Sequence, residues 1–77
     1  MNLTEQQKKD ISDLIEQKGG PISTIEYLLS TEMNKDKIEV MIRYILTIRY
    51  VSQKTYLGDE TITAYLERNG IYIDFEK

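Results

Sequence analysis

The stretch from Lys35 to Lys54, KDKIEVMIRYILTIRYVSQK, most constrains how this chain can fold. It contains neither glycine nor proline, and it is the most apolar part of the sequence. Its alternating positions and β-branched residues would also suit a strand. Strands, however, typically run for only about 3–10 residues, and nothing interrupts this stretch. We therefore expect one long central helix, with the shorter segments of the chain packed around it.

Two local features support a helix here. Asn34 can cap its first turn, and Glu39 and Arg43 stand four residues apart, as ion pairs on helices do. Placed at about 100° per residue, the apolar residues cover half of the circumference and predict burial on two sides. These residues are Ile38, Val40, Met41, Ile42, Tyr44, Ile45, Ile48 and Val51. Leu46 and Tyr50 instead project from the predicted polar face, one turn apart.

Capping residues and glycines mark the ends of three shorter helices. A Ser or Thr followed three residues later by Glu or Gln predicts a capping box, and a glycine after an apolar stripe predicts a left-handed end. The predicted starts are Thr4 with Gln7, Ser23 with Glu26 (a helix of roughly residues 24–31), and Asp59 after Gly58; the predicted ends are Gly19-Gly20-Pro21 and Asn69-Gly70. A Schellman turn at Gly70 would place Ile71 against Leu66.

These patterns predict an all-α fold, a compact bundle of four helices around the long central helix. A short extended C-terminal arm follows, because residues 71–75 alternate without a second strand to pair with. The whole chain, residues 1–77, is expected to form a single helical domain. The predicted core consists of Ile11, Leu14, Ile25, Leu28, Leu29, Ile38, Met41, Ile45, Ile48, Ile62 and Leu66.

Composition narrows the cellular setting. The formal net charge is −3 and cysteine is absent, which suits a reducing compartment. The polar N-terminus lacks the apolar core of a signal peptide, and no segment approaches the roughly 18 apolar residues of a membrane span. We expect a cytoplasmic protein. Because Ala64 is the only alanine while Ile, Lys, Glu and Tyr are abundant, we expect a bacterial, phage or mobile-element origin.

The residues that commonly carry chemistry are missing. Without His or Cys, the chain lacks the commonest general base, the usual zinc ligands and a thiol nucleophile. Asp10, Asp13 and Glu16 lie near one another on the first helix, but their polar neighbours indicate a solvated face. We expect no enzyme, no catalytic or metal-binding residue and no cofactor.

DNA binding is the alternative function. Residues 35–54 carry five positive and two negative groups, whereas the rest of the chain sums to −6. The second and third helices could form a helix-turn-helix that directs cationic and amide side chains to DNA. These candidate DNA-binding residues are Asn34, Lys35, Lys37 and Arg43. Against this, the turn lacks the usual glycine, and the third helix is about twice the typical recognition length.

Protein binding is the leading function, and it rests on Leu46 and Tyr50. Two stacked apolar side chains framed by polar ones resemble the centre and rim of an interface, and Tyr and Arg often dominate binding energy. The predicted partner-binding residues are Arg43, Leu46, Thr47, Arg49 and Tyr50. Alternatively, the fourth helix or the C-terminal arm covers Leu46 and Tyr50 within the monomer. We expect a small interaction module, a homodimer, of the accessory or inhibitor type that modulates a partner protein by occlusion.

Overall fold

The computed structural model describes residues 2–73 of the chain. Its elements, in chain order, are helices α1 (Glu5–Lys18), α2 (Pro21–Ser30) and α3 (Lys35–Ile48), strands β1 (Tyr56–Leu57) and β2 (Glu60–Thr61), and helix α4 (Ile62–Arg68). The described chain is therefore mostly helical, with the four predicted helices and a small hairpin that the sequence patterns did not predict. The long central helix is not found. Helix α3 ends at Ile48 and is 14 residues long, the same length as α1.

Two helix starts are confirmed by their capping bonds. At α1, the Gln7 N–H donates to the Thr4 hydroxyl at 3.1 Å, and the Thr4 N–H donates back to the Gln7 side chain at 2.8 Å. At α3, the Asn34 side chain accepts from the N–H groups of Asp36 and Lys37 at 2.8 and 3.3 Å. Local chemistry decides both positions, because each cap satisfies N–H groups that have no partner within the helix.

The predicted start of α2 is wrong. The helix begins at Pro21, with Gly20 in the capping position, so Ser23 and Glu26 lie inside it. Proline suits the first position of a helix because its ring fixes φ near the helical value and its missing N–H needs no partner. The proline therefore starts the second helix as well as separating it from the first.

The predicted start of α4 is also wrong. Gly58 and Asp59 form the turn of the β-hairpin, in which Leu57 pairs with Glu60. Gly58 has a φ of +74°, as the first central residue of a type II′ turn requires. The N-cap of α4 is Thr61, whose hydroxyl accepts from the backbone N–H at position 64 at 3.2 Å.

An ion pair joins the hairpin to α4, and a charge on α2 acts on a tyrosine of α4. Arg68 on α4 donates to the Glu60 carboxylate of β2 at 2.6 Å, and this hydrogen bond raises the pKa of Arg68. Tyr65 is half-buried. Burial raises the pKa of Tyr65, and the negative charge of Glu26 on α2 raises it further.

The core joins all four helices. Its fully buried apolar residues are Ile11, Ile15, Ile25, Leu28, Ile38, Ile42, Ile45, Leu46, Ile62, Leu66 and Ile71. Four members of the predicted core are only partly buried at its edge, namely Leu14, Leu29, Met41 and Ile48. The three helices α1, α2 and α3 pack on one another pairwise, whereas the backbone of α4 lies against the hairpin.

The end of α4 and the start of the predicted C-terminal arm follow the expected turn. Gly70 has a φ of +82°, and the Ile71 N–H donates to the Leu66 carbonyl at 2.9 Å. Ile71 is buried and Ile73 packs at the edge of the core. Residues 74 and 75 of the predicted arm lie outside the described residues. Within residues 2–73, no helix has the length and apolar character needed to cross a membrane.

Candidate protein-interaction surface

Leu46 does not belong to the surface, and this prediction is corrected. Its side chain is only 5% exposed and belongs to the core. It lies four residues from Ile42, which is fully buried, and both side chains belong to the same core cluster. The apolar arc of α3 was therefore centred wrongly. It extends one position further round the helix, to Leu46, and a helical projection of α3 alone does not show where the arc ends.

The other four predicted partner-binding residues are exposed to solvent. They are Arg43, Thr47, Arg49 and Tyr50, and we call them the α3 surface. Arg43 donates to the Glu39 carboxylate at 2.7 Å, which confirms the predicted ion pair. The Thr47 hydroxyl donates to the Arg43 carbonyl oxygen at 2.9 Å. These short bonds fix the first two members of the surface along one side of α3.

Tyr50 ends α3 in an unusual way. The Tyr50 N–H donates to the Thr47 carbonyl at 3.4 Å, and the Val51 N–H donates to the Leu46 carbonyl at 3.0 Å. This is a Schellman turn, the arrangement that also ends α1 and α4. In those two helices the left-handed position holds Gly19 and Gly70, whereas in α3 it holds Tyr50 with a φ of +53°.

A tyrosine in this conformation is strained. The left-handed conformation costs a residue with a Cβ atom about 1–2 kcal/mol, and glycine would avoid most of that cost. Contacts of the ring inside the molecule do not offset this cost, because the Tyr50 side chain is 92% exposed and makes no hydrogen bond among residues 2–73. The side chain is thus held in solvent at a fixed point at the end of α3.

The loop after Tyr50 is short and anchored. The Thr55 N–H donates to the Ser52 carbonyl at 3.0 Å and closes a turn, while the Thr63 hydroxyl of α4 donates to the Gln53 carbonyl at 3.3 Å. Lys54 lies in this turn and is exposed. The loop therefore presents Lys54 from a backbone that is tied to α4 at the neighbouring residue.

The charge around Tyr50 is positive. Arg49 and Lys54 are exposed, and within residues 2–73 neither forms a salt bridge. The sequence contains no acidic residue between Glu39 and Asp59. Because Arg43 is paired with Glu39, the unpaired positive charge of this region is contributed by Arg49 and Lys54.

An open groove of about 520 Å³ lies between α1 and α3 beside the α3 surface. Leu3, Val40 and Tyr44 supply its apolar lining, and Lys8 contributes a cation 6.0 Å from the centre of the Tyr44 ring. Arg43 and Thr47 belong to both the groove and the α3 surface. The groove was missed at the sequence level, because Val40 and Tyr44 were assigned to the buried arc of the helix. Their position at the edge of that arc was the available indication.

Three of the four candidate DNA-binding residues already have partners inside the chain. Asn34 caps α3, Arg43 pairs with Glu39, and the Lys35 ammonium donates to the Asn69 carbonyl at the end of α4 at 2.7 Å. The fourth, Lys37, lies at the rim of a smaller groove of about 200 Å³ whose apolar lining includes Met41. Three of the four side chains are therefore engaged in local contacts within the chain.

Comparison of the chain with protein-family models, with curated proteins and with solved structures found no match.

Proposed function

We propose that this protein is a small interaction module, which binds a partner protein through the α3 surface and modulates it by occlusion. Tyr50 is the anchor, Arg49 supplies an orienting charge, and the groove beside Thr47 extends the contact. Such a role fits an accessory or inhibitor protein of a phage or mobile element acting in the cytoplasm. Leu46 has no part in it, because its side chain is in the core.

The observation that carries the proposal is the combination of strain and exposure at Tyr50. The Schellman bonds account for the turn but not for a tyrosine in it, and a strained position whose side chain is exposed points to a function outside the fold. Tyrosine is also one of the residues that most often dominate interface energies, since a rigid ring adds contact area at low entropic cost. Tyr56 and Tyr72 are exposed as well, but neither has a positive φ.

The homodimer expected from the sequence remains a separate prediction. A two-fold axis through the α3 surface would bring the same patch of both copies together and set Arg49 and Lys54 against like charges. Any self-association is therefore expected to use another face. Sedimentation equilibrium at low and high salt would measure it, and a dimer that dissociates in the Tyr50→Gly variant would contradict this choice of face.

Selection of binding peptides tests the proposed function even though the partner is unidentified. The purified chain would be used to select peptides from a random display library, and dissociation constants would be measured by fluorescence polarisation. We expect peptides that bind wild type and lose about tenfold or more of their affinity for Tyr50→Gly. Tyr72→Ala is the matched control, because it removes another exposed tyrosine. Recovery of no peptide, or equal binding to Tyr50→Gly, would overturn the proposal.

A helix-turn-helix regulator is the second candidate. Two observations favour it: the four residues between α2 and α3, and a hairpin after α3 in the position where winged DNA-binding domains carry a wing. This function predicts duplex binding that weakens steeply as salt rises and that falls in Lys37→Glu. Titration of a random-sequence duplex at two salt concentrations would decide it, and absence of binding at low salt would exclude it.

A further inference from the structure

We infer that the partner segment recognised by the α3 surface is acidic, with carboxylates that pair with Arg49 and Lys54 on either side of an apolar side chain that contacts Tyr50. This inference rests on the proposed function and adds to it the chemistry of the partner. It follows from how charge is distributed along the chain and from how the loop after α3 is held.

The charged residues close to Tyr50 in the sequence are basic. The chain is acidic as a whole, with a net charge of −3, yet residues 40–58 contain three basic and no acidic groups. Arg43 is neutralised by Glu39 at 2.7 Å, whereas Arg49 and Lys54 form no salt bridge within residues 2–73. Interfaces generally juxtapose opposite potentials. A positive patch on an acidic protein therefore favours an acidic partner at this point.

Tyr50 and Lys54 lie close enough together for one short peptide to contact both. Lys54 is four residues from Tyr50, so their Cα atoms lie within about 14 Å of each other even for an extended chain. The turn that the Thr55 N–H closes onto the Ser52 carbonyl shortens this separation. An extended peptide of four or five residues covers the same length. One short segment can therefore place an apolar residue at Tyr50 and carboxylates near both cations.

The number of cations near Tyr50 favours an acidic peptide over a nucleic acid as the partner. Tyrosines and cations on one loop could also stack and hold single-stranded bases. A strand carries a phosphate on every nucleotide, however. The end of α3 and the loop after it offer two cations without a salt bridge among residues 2–73, in a chain of negative net charge. A peptide with carboxylates only at its ends matches this number of charges better.

The experiment compares charge variants on the peptides that the wild-type chain selects from the display library. In Arg49→Glu/Lys54→Glu we expect affinity for these peptides to fall about tenfold or more, because both pairs become repulsive. Lys9→Glu/Lys18→Glu is the matched control, since it changes the net charge equally at exposed sites on α1. We also expect the selected peptides to be enriched in Asp and Glu relative to the library, and their binding to weaken as salt rises.

The outcomes separate this inference from the proposed function. Peptides that depend on Tyr50 but show no acidic enrichment, or that bind both charge variants equally, would overturn the inference and leave the proposed function standing. Peptides that do not depend on Tyr50 would overturn both. An oligothymidylate strand is the second probe: binding that Arg49→Glu/Lys54→Glu abolishes, without any acidic peptide in the selection, would replace the acidic partner by a nucleic acid.

Discussion

The Val51 N–H donates to the carbonyl oxygen of Leu46 at 3.0 Å, across the left-handed turn at Tyr50. This bond ends α3, and the chain then continues to the hairpin. An equivalent bond ends α1 and α4, where glycine occupies the left-handed position. Leu46 and Tyr50, the two residues that first suggested an interface, thus belong to one turn motif. Leu46 is buried, whereas Tyr50 is exposed.

Tyr50→Gly is expected to stabilise the chain by about 1 kcal/mol. Glycine removes the strain of the left-handed conformation, although the greater freedom of glycine in the unfolded chain offsets part of the gain. Chemical denaturation monitored by circular dichroism would give the free energy of unfolding. Tyr50→Ala is the matched control, because alanine keeps the Cβ atom and the strain. A lower stability for Tyr50→Gly than for Tyr50→Ala would show that this account of the turn is wrong.

Leu46→Ala is expected to lower the free energy of unfolding by about 2–5 kcal/mol, as truncation of a buried leucine does. The neighbouring Thr47→Ala should change it by less than about 0.5 kcal/mol, because its hydroxyl bond lies on the surface. Thermal melts of both variants would check this. If Leu46→Ala had the same melting temperature as wild type, Leu46 would have to be a surface residue.

Gly70→Ala and Gly19→Ala separate backbone strain from a steric contact. Both positions have a positive φ, and a Cβ atom at Gly70 would stand 2.5 Å from the Lys35 ammonium, whereas one at Gly19 meets nothing within 4 Å. We expect each variant to lose about 1–2 kcal/mol through strain, and Gly70→Val to lose more because valine is β-branched. Gly70→Ala should also lose the bond from Lys35 to Asn69.

The control for this pair is the Lys35→Met background. Without the ammonium group, Gly70→Ala and Gly19→Ala should cost similar amounts in denaturant titrations. A Gly70→Ala variant as stable as the parent chain would remove the explanation given for the end of α4.

Stability should fall in alkaline solution partly through Tyr65. Burial, together with Glu26, raises the pKa of Tyr65 above the ordinary value of 10.0. The folded state therefore holds this proton more tightly than the unfolded chain. The resulting stability is present below the unfolded pKa and is lost as the pH rises through the folded one. Unfolding free energies from pH 8 to pH 11 should decline more steeply for wild type than for Tyr65→Phe, and parallel curves would contradict the assignment.

Helix ends that depend on neighbouring residues could be predicted from the sequence. Thr4 with Gln7, Asn34, Gly19 and Gly70 act through bonds to residues a few positions away. The start of α2 was missed because two local patterns competed, and Pro21 prevailed over Ser23. The end of α3 was missed because its turn uses Tyr50, and a tyrosine gives no indication of a positive φ.

The candidate surface could be predicted only in part. The exposure of Arg43, Thr47 and Tyr50 followed from their positions on the predicted polar face. Arg49 falls within the predicted apolar arc, yet it is exposed at the C-cap of α3. The burial of Leu46 could not be predicted in this way, because it depends on tertiary packing that a projection of one helix does not contain. The hairpin was missed because each of its strands has only two residues. Such short strands carry too few residues to show an alternating pattern.

The hairpin and α4 form a unit whose backbone neighbours are within itself, while α1, α2 and α3 pack on one another. Among residues 2–73, side-chain packing in the core, the bond from Lys35 to Asn69 and the bond from Thr63 to Gln53 link the two parts. The second part can therefore open locally while the first stays folded, as cooperative units in small domains do. Amide hydrogens of α4 should then exchange with solvent earlier than those of α3. Each opening event would then present Ile62 and Leu66, the buried residues of α4, to water.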